Sequence, residues 1–438
     1  MPADGIVFNG VDGATGQYLQ PSLSVEELAR VIETKDDAHL RARSQATGGT
    51  MGLPYGASPL DLTSVGWAIV APDDEAAMIR DALAPLHAHR EATVGPLVRF
   101  LTYSGQSRAR WLSDYSVGVG DIDPTRVPYY LLWAGNSAKI PFRVVHELGV
   151  DYAVGRLECE TAEEYHHYAE QVVAHEKATR AGAPRSVAFF GPRHDPATTL
   201  SADRLLAPLA AEYPGTNHIG STATKACLAE ILRQPPDVLF TASHGVGFPP
   251  DDPRQSANQG ALLCHDWPGP GAIREEHYFR AADVPSGVDL GGLISFHFAC
   301  YGAGTPAEDR FSKRGTGPPK VLARTPFLAA LPKELLRRGA VAVAGHVDRA
   351  WGFSIASEAR ATEIAPFRNF LDHVLAGEPV GHAMRDFADR FAGYSVQLTG
   401  ELERSEFEDV PAAALVELWT KRNDAEAYLV IGDPATHL

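Results

Sequence analysis

Along the chain, continuous apolar runs alternate with segments whose apolar residues recur at helical spacing. The run 65–71 (VGWAIVA) stops at Pro72, and 73–90 follows with a helical pattern. The runs 127–135 (VPYYLLWAG) and 151–157 (DYAVGRL) come next, and 161–180 predicts a helix opening at Thr161. Uninterrupted apolar runs of this length belong to strands buried on both faces. Their alternation with helices predicts an α/β fold with a mostly parallel sheet. After about residue 183 the pattern restarts. Strands are expected at 186–191, 237–245, 293–304, 340–346 and 427–434, and helices at 202–213, 223–234, 326–339, 365–377 and 382–394.

Two successive α/β units, 61–183 and 184–438, fit this pattern better than one large sheet. Residues 1–60 read as an N-terminal extension. It holds one helix, 24–33, with Ser24 and Glu27 in capping-box spacing, and a Gly- and Ser-rich loop at 41–59.

Composition narrows the function classes only a little. The 438 residues are 45% hydrophobic and 21% charged, which is ordinary for a globular chain. Acidic residues outnumber basic ones 55 to 39, for a net charge of −16. That argues against nucleic-acid or anionic-membrane binding, which need a positive field, and suits a basic polypeptide partner. No apolar run approaches the ~20 residues of a membrane span. The first residues lack a basic stretch followed by an apolar one, so no leader is expected. Cys159, Cys227, Cys264 and Cys300 are scattered without paired spacing, so a reduced, cytoplasmic protein is expected.

Three apolar runs end in residues that carry chemistry: Ser243-His244-Gly245, Ala299-Cys300-Tyr301-Gly302 and Gly345-His346-Val347-Asp348. Ligands of open parallel sheets bind beyond the carboxyl ends of the strands. A histidine, a cysteine and an acid are therefore expected at one edge of one sheet. A cysteine nucleophile needs a nearby base, and attack on an acyl carbon needs N–H donors for the oxyanion. Gly245 has no Cβ to keep a carbonyl from its N–H, and the N–H of Cys300 is a natural second donor. Cys300 follows His244 by 56 residues.

The segments 237–245 (DVLFTASHG) and 294–304 (ISFHFACYGAG) resemble the His-Gly and Cys segments of caspase-like cysteine peptidases, in which the His lies about 50 residues upstream of the Cys. The closer resemblance is to the gingipain family, and four further segments fit it in family order. They are 129–142 (YYLLWAGNSAKIPF), 152–176 (beginning YAVGRL), 341–354 (VAVAGHVDRAWGFS) and 428–436 (YLVIGDPAT). The resemblance spans roughly residues 60–438. It implies two caspase-like subdomains, the second catalytic, with Cys300 as nucleophile and His244 as base or proton donor. It also implies an oxyanion hole of the Gly245 and Cys300 N–H groups, Trp351 as a wall of the substrate pocket, and no cofactor. The partner it implies is a polypeptide substrate. The family pattern has an acid just after the first strand of the second unit. Here that strand ends Gly191-Pro192 with no carboxylate before Asp195, so no residue is identified as orienting His244.

For a substrate with Arg or Lys before the scissile bond, Asp195, Asp348 and Asp203 are the pocket carboxylates expected, in that order. Arg193 and Arg349 would serve the opposite preference. Other readings stay open. Cys264-His265-Asp266 with His277 offers metal ligands, but adjacent residues of a strand point to opposite faces and no second pair follows at zinc spacing. His297 is expected to pack in its strand, and His166, His167 and His175 to lie on a solvated helix face. Asp433 is expected in a turn. The basic stretch 307–324, with Lys313-Arg314, reads as an exposed loop or a processing site. A catalytically weak pseudopeptidase or signalling scaffold and a metal-dependent hydrolase are the alternatives to a cysteine endopeptidase.

Overall fold

The structure, a computed structural model, describes residues 10–17, 24, 52–178, 185–269, 271–309, 320–356, 362–405 and 407–438. The helix expected at 24–33 and the Lys313-Arg314 site lie outside the described residues.

The apolar runs form the strands of one ten-stranded sheet. After the short β1 (Gly10–Asp12), the first half contributes β2 (Trp67–Pro72), β3 (Val98–Tyr103), β4 (Tyr130–Ala134) and β5 (Ala153–Leu157). It also carries helices α1 (Ala84–Val94) and α2 (Ala162–Lys177). The second half opens with β6 (Val187–Gly191), α3 (Pro196–Ser201), β7 (Gly215–Ile219), α4 (Lys225–Arg233) and β8 (Val238–Ala242). It continues through the short β9 (Gly245–Gly247), β10 (Leu262–Leu263) and β11 (Tyr278–Phe279) to β12 (Ile294–Phe298). Two small ribbons follow, β13 (Gly304–Thr305) with β16 (Phe327–Leu328) and β14 (Glu308–Asp309) with β15 (Lys320–Val321). The chain ends with α5 (Ala330–Arg337), β17 (Ala342–His346), α6 (Ala365–Ala376), α7 (Val380–Ala383), α8 (Arg385–Ser405), α9 (Ala412–Glu426) and β18 (Tyr428–Gly432).

The strand order is β3-β2-β4-β5-β18-β17-β12-β8-β6-β7. The sequence pattern favoured two units over one large sheet; the strands of both halves instead join edge to edge in this single sheet. β18 is the seam: it pairs parallel with β5 and antiparallel with β17, while every other neighbouring pair is parallel. The strands of the first half therefore run opposite to β6, β8, β12 and β17. Only the second half points its carboxyl ends at the edge where His244 and Cys300 emerge.

Each face of the sheet buries its own core. On one face Phe296 stacks on Phe240 at 4.7 Å and meets Phe367, Phe370, Phe387 and Tyr428. Such ring pairs add about 0.5–1.5 kcal/mol each beyond area burial. On the first half Trp133 packs against Trp111 and Tyr103.

Asp433, expected in a turn, stands at one: its side chain accepts the Ala435 N–H and its carbonyl the Thr436 N–H, and it is fully buried. Its carboxylate accepts from Trp67 Nε1 and from Arg90, each at 2.8 Å or less, and Arg90 also forks onto Glu176. Burial alone would push the Glu176 carboxyl up, but the Arg90 guanidinium holds it below the ordinary carboxylate range. This network pins the end of β18 to β2, α1 and α2. Two edge strands, β3 and β7, and the helix α9 were not legible as apolar runs. β7 (GTNHI) is polar and partly exposed, and α9 buries the charged stretch 421–426. There Arg422 pairs with Glu426 at 2.7 Å and Lys421 reaches Glu363 at 2.8 Å.

Removing Asp433 leaves Arg90 buried beside one acid instead of two. Asp433→Ala should lower unfolding free energy by about 3–5 kcal/mol, read from urea denaturation, and Asp433→Asn by less. A loss under about 1 kcal/mol would mean the network does not secure the seam.

Candidate active site

Four adjacent parallel strands carry the site. β6, β8, β12 and β17 deliver Asp195, His244, Cys300 and Asp348 to one edge. Ala242 lies opposite Phe298 in register, and two residues further each chain reaches His244 and Cys300. A close backbone approach fixes this alignment. A Cβ on Gly245 would stand 1.7 Å from the carbonyl oxygen of Cys300, so only glycine lets the His244 turn lie against the Cys300 turn.

Asp195 differs from its expected place in a substrate pocket. Its Oδ2 lies 2.6 Å from Nε2 of the fully buried His244, while its Oδ1 accepts the Thr198 N–H at 2.9 Å as the N-cap of α3. The capping box fixes the carboxylate, and its second oxygen then faces the end of β8. Asp195 is the acid on His244 that the sequence did not identify, because it stands four residues past the end of β6. His194 flanks this pair, stacked on His265 with centroids 5.4 Å apart and with Nε2 3.0 Å from the Cys264 carbonyl. Burial pushes the His194 imidazole down to about 4, keeping it neutral.

Cys300 is fully buried. The Ala350 N–H donates to its Sγ at 3.3 Å, and burial pushes the thiol up to about 12. The cover is the segment 347–351. The Tyr301 N–H donates to the Asp348 carbonyl at 2.7 Å, the Arg349 guanidinium forks onto Asp309 at 2.7 and 2.5 Å, and the Trp351 N–H donates to Asp424 Oδ1 at 2.9 Å. Tyr301 and Asp348 take positive φ, 58° and 125°, which costs a side-chain-bearing residue about 1–3 kcal/mol.

Two expected roles meet a different arrangement. The Leu263 N–H donates to the His244 carbonyl and the Val246 N–H to the Ala261 carbonyl, which turns the Gly245 N–H away from β10. On that side β1 lies in register, Gly10 opposite Gly245, so the Gly245 N–H faces the N-terminal strand and not Cys300. Val11 of β1 is buried in a cluster with Val246, Phe248 and Leu263. Trp351 and Asp348 belong to this covering segment and are themselves buried.

Among the remaining candidates, Asp203 pairs with Arg193 at the surface. His297 packs in its strand, pushed down to about 4 by burial. Cys264 and His277 are buried, Asp266 accepts the Lys225 N–H at 2.6 Å at the start of α4, and His277 Nδ1 accepts the Arg274 N–H. Among the described residues these do not converge as metal ligands. All four cysteines are free thiols, and no described helix is long and apolar enough to cross a membrane.

The sequence matches no family model and no curated protein. Solved structures similar to this chain include one described as a protease, with a TM-score of 0.48, 11% identity and coverage of 84% of this chain and 78% of that one. The complex of Porphyromonas gingivalis RgpB pro- and mature domains gives 0.47 and 13%, covering 85% and 80%. The Saccharomyces cerevisiae separase–securin complex gives 0.36 and 11%, covering 71% and 16%.

A thiol near 12 holds about a thousandfold less thiolate at neutral pH than a free cysteine. Iodoacetamide should therefore label Cys300 slowly at pH 7, with the rate rising about tenfold per pH unit, read by mass spectrometry of its peptide. Asp309→Ala, which releases Arg349, should accelerate labelling. A wild-type rate equal to that of free cysteine would mean the cover is not in place.

Proposed function

We propose that this chain is a cysteine endopeptidase of the caspase-like kind, held here in a closed form. The observation that carries the reading is the Asp195 carboxylate on Nε2 of His244, on a strand end level with Cys300 of the neighbouring strand. With Nε2 on the acid, proton exchange with the thiol falls to Nδ1. The Cys300 sulfur adds to the peptide carbonyl carbon. As the tetrahedral adduct collapses, the carbon–nitrogen bond breaks and the leaving amine takes the proton from His244. A thioester remains. Water then attacks it, giving its proton to His244, and the acid departs with the thiol restored. Asp195 holds the ring and stabilises its cationic form between the two proton transfers.

The same reading favours Arg or Lys before the scissile bond. The resemblance to gingipains and the charge of −16 support it, and so do the buried pairs. Of the three carboxylates considered, Asp195 serves His244 and Asp203 serves Arg193. Asp348, beside Trp351 in the covering segment, accepts the Arg349 N–H at 2.9 Å and is the one of the three that neither orients His244 nor pairs with Arg193. The arginines that an acidic substrate would need are already neutralised, Arg193 by Asp203 and Arg349 by Asp309. Withdrawal of the segment 347–351 would bare Cys300, Asp348 and Trp351 together, and withdrawal of β1 would free the Gly245 N–H. The second reading, a pseudopeptidase or scaffold, is favoured by the full burial of Cys300.

A peptidyl electrophile with Arg before the warhead separates the two. Covalent capture at Cys300, lost in Cys300→Ala, is expected; no capture, even with Val11→Asp dislodging β1, favours the scaffold. In hydrolysis assays, Cys300→Ala and His244→Ala should each abolish cleavage. Asp195→Asn should lower kcat by about 10²–10⁴ with little change in KM. Matched peptides with Arg, Lys, Asp or Leu before the bond test the pocket, and a preference for Asp or Leu would refute it.

A further inference from the structure

A second cluster of chemistry-bearing side chains lies at the turn between α6 and α7, against the segment that follows β18. It is built on one tight turn. His373 sits in the last turn of α6, and Gly377 then takes the left-handed conformation, φ 83°. The Gly377 and Glu378 N–H groups close onto the carbonyls of Val374 and His373, which brings the Glu378 carboxylate back onto His373 Nδ1. Pro379 starts α7, and His382, within it, turns its ring to 5.6 Å from that of His373 at 75°. One ligand atom from each of His373, Glu378 and His382 falls within 4.8 Å of the others.

We propose that His373, Glu378 and His382 bind one divalent transition-metal ion of the zinc type. Ligand atoms about 2.0–2.2 Å from a tetrahedral ion stand roughly 3.4 Å apart, so small side-chain rotations close the set on a metal. Two imidazoles and one carboxylate suit Zn²⁺, Co²⁺ or Ni²⁺. Ca²⁺ and Mg²⁺ require six or more oxygens, which this set does not offer. Three protein ligands leave the fourth position to water.

The support around the ligands is built. The Tyr129 hydroxyl lies 3.4 Å from His382 Nδ1 and orients the ring. The Val380 and Gly381 N–H groups donate to the carbonyls of Thr436 and Pro434, and Arg185 donates to those of Val374 and Leu375. The ligands thus stand on a turn tied to the C-terminal segment, and metal would clamp α6 and α7 to the end of the seam strand. The spacing, His then Glu five residues on and His four further, is no zinc signature by itself. It becomes a set only because Gly377 reverses the chain.

The test is titration of the metal-free full chain with Zn²⁺ and with Co²⁺, followed by calorimetry, thermal unfolding and the visible absorption of tetrahedral cobalt. One equivalent of Zn²⁺ or Co²⁺ should bind and raise the unfolding temperature, Co²⁺ with its tetrahedral band, while Mg²⁺ and Ca²⁺ neither bind nor stabilise. His373→Ala and His382→Ala should each weaken binding by about 100-fold or more, and Glu378→Gln by about tenfold. Cys300→Ala should bind as wild type, which separates this site from the thiol. His373 and Glu378 are partly exposed, so their variants should fold even where His382→Ala does not. Absence of Zn²⁺ binding at millimolar concentration, or wild-type affinity in both His373→Ala and Glu378→Gln, would overturn the proposal.

Discussion

The antiparallel insertion of β18 is the constraint on which the rest of the molecule depends. This last strand lies between the two halves, hydrogen-bonded to β17 on one side and β5 on the other. Because it reverses direction against β17, the halves run opposite ways. The carboxyl ends of β2, β4 and β5 are thereby carried away from the edge that holds Cys300. Asp433 just beyond the strand is buried against Arg90 and Trp67. A buried ion pair contributes little net stability over an apolar substitute, but breaking it strands a charge. Its effect here is to fix the register of the seam.

At the edge that carries His244 and Cys300, single groups hold two things at once. Asp195 caps α3 with one oxygen and meets His244 with the other, so the position of the histidine follows from the start of a helix. Gly245 admits the Cys300 carbonyl and leads into β9, where β1 docks. Arg349 ties the cover of Cys300 to Asp309, at the edge of the β14–β15 ribbon. A disturbance of that ribbon is therefore transmitted to the thiol through one fully buried ion pair.

Most of the sheet was legible in the sequence because its central strands are buried on both faces and read as unbroken apolar runs. β3 and β7 lie at the two ends of the strand order, where burial on both faces is not required, and their sequences carry no such signal. Helix α9 was hidden for the opposite reason: its charged residues 421–426 are buried and paired, which no hydropathy pattern reports. His244 and Cys300 stood out because they end apolar runs. Asp195 was visible as a residue, but its partner was not. A capping aspartate and an acid on a histidine look alike until the fold sets the direction of the second oxygen. The seam itself was beyond reach, since pairing between strands 271 residues apart in the chain leaves no local trace.

On the peptidase reading, the covering segment couples latency to specificity. Its backbone N–H at Ala350 caps the thiol, its carbonyl at Asp348 holds Tyr301, and its Arg349 lies 3.6 Å from Asp348 while forking onto Asp309. These contacts belong to one short stretch with a strained residue, so they are made and lost together. A protein whose competent form is a fraction of the whole shows reactivity reduced by that fraction. A substrate raises the fraction only through contacts the closed form does not offer. On the peptidase reading, the guanidinium or ammonium of a basic substrate meets Asp348 where Arg349 stood. Recognition of the substrate's charge and uncovering of the nucleophile are then the same event. An acidic side chain has no such exchange to make, because it would have to draw Arg349 from Asp309 while facing Asp348. Discrimination on this reading comes from the ion pairs that close the site as much as from the pocket that opens.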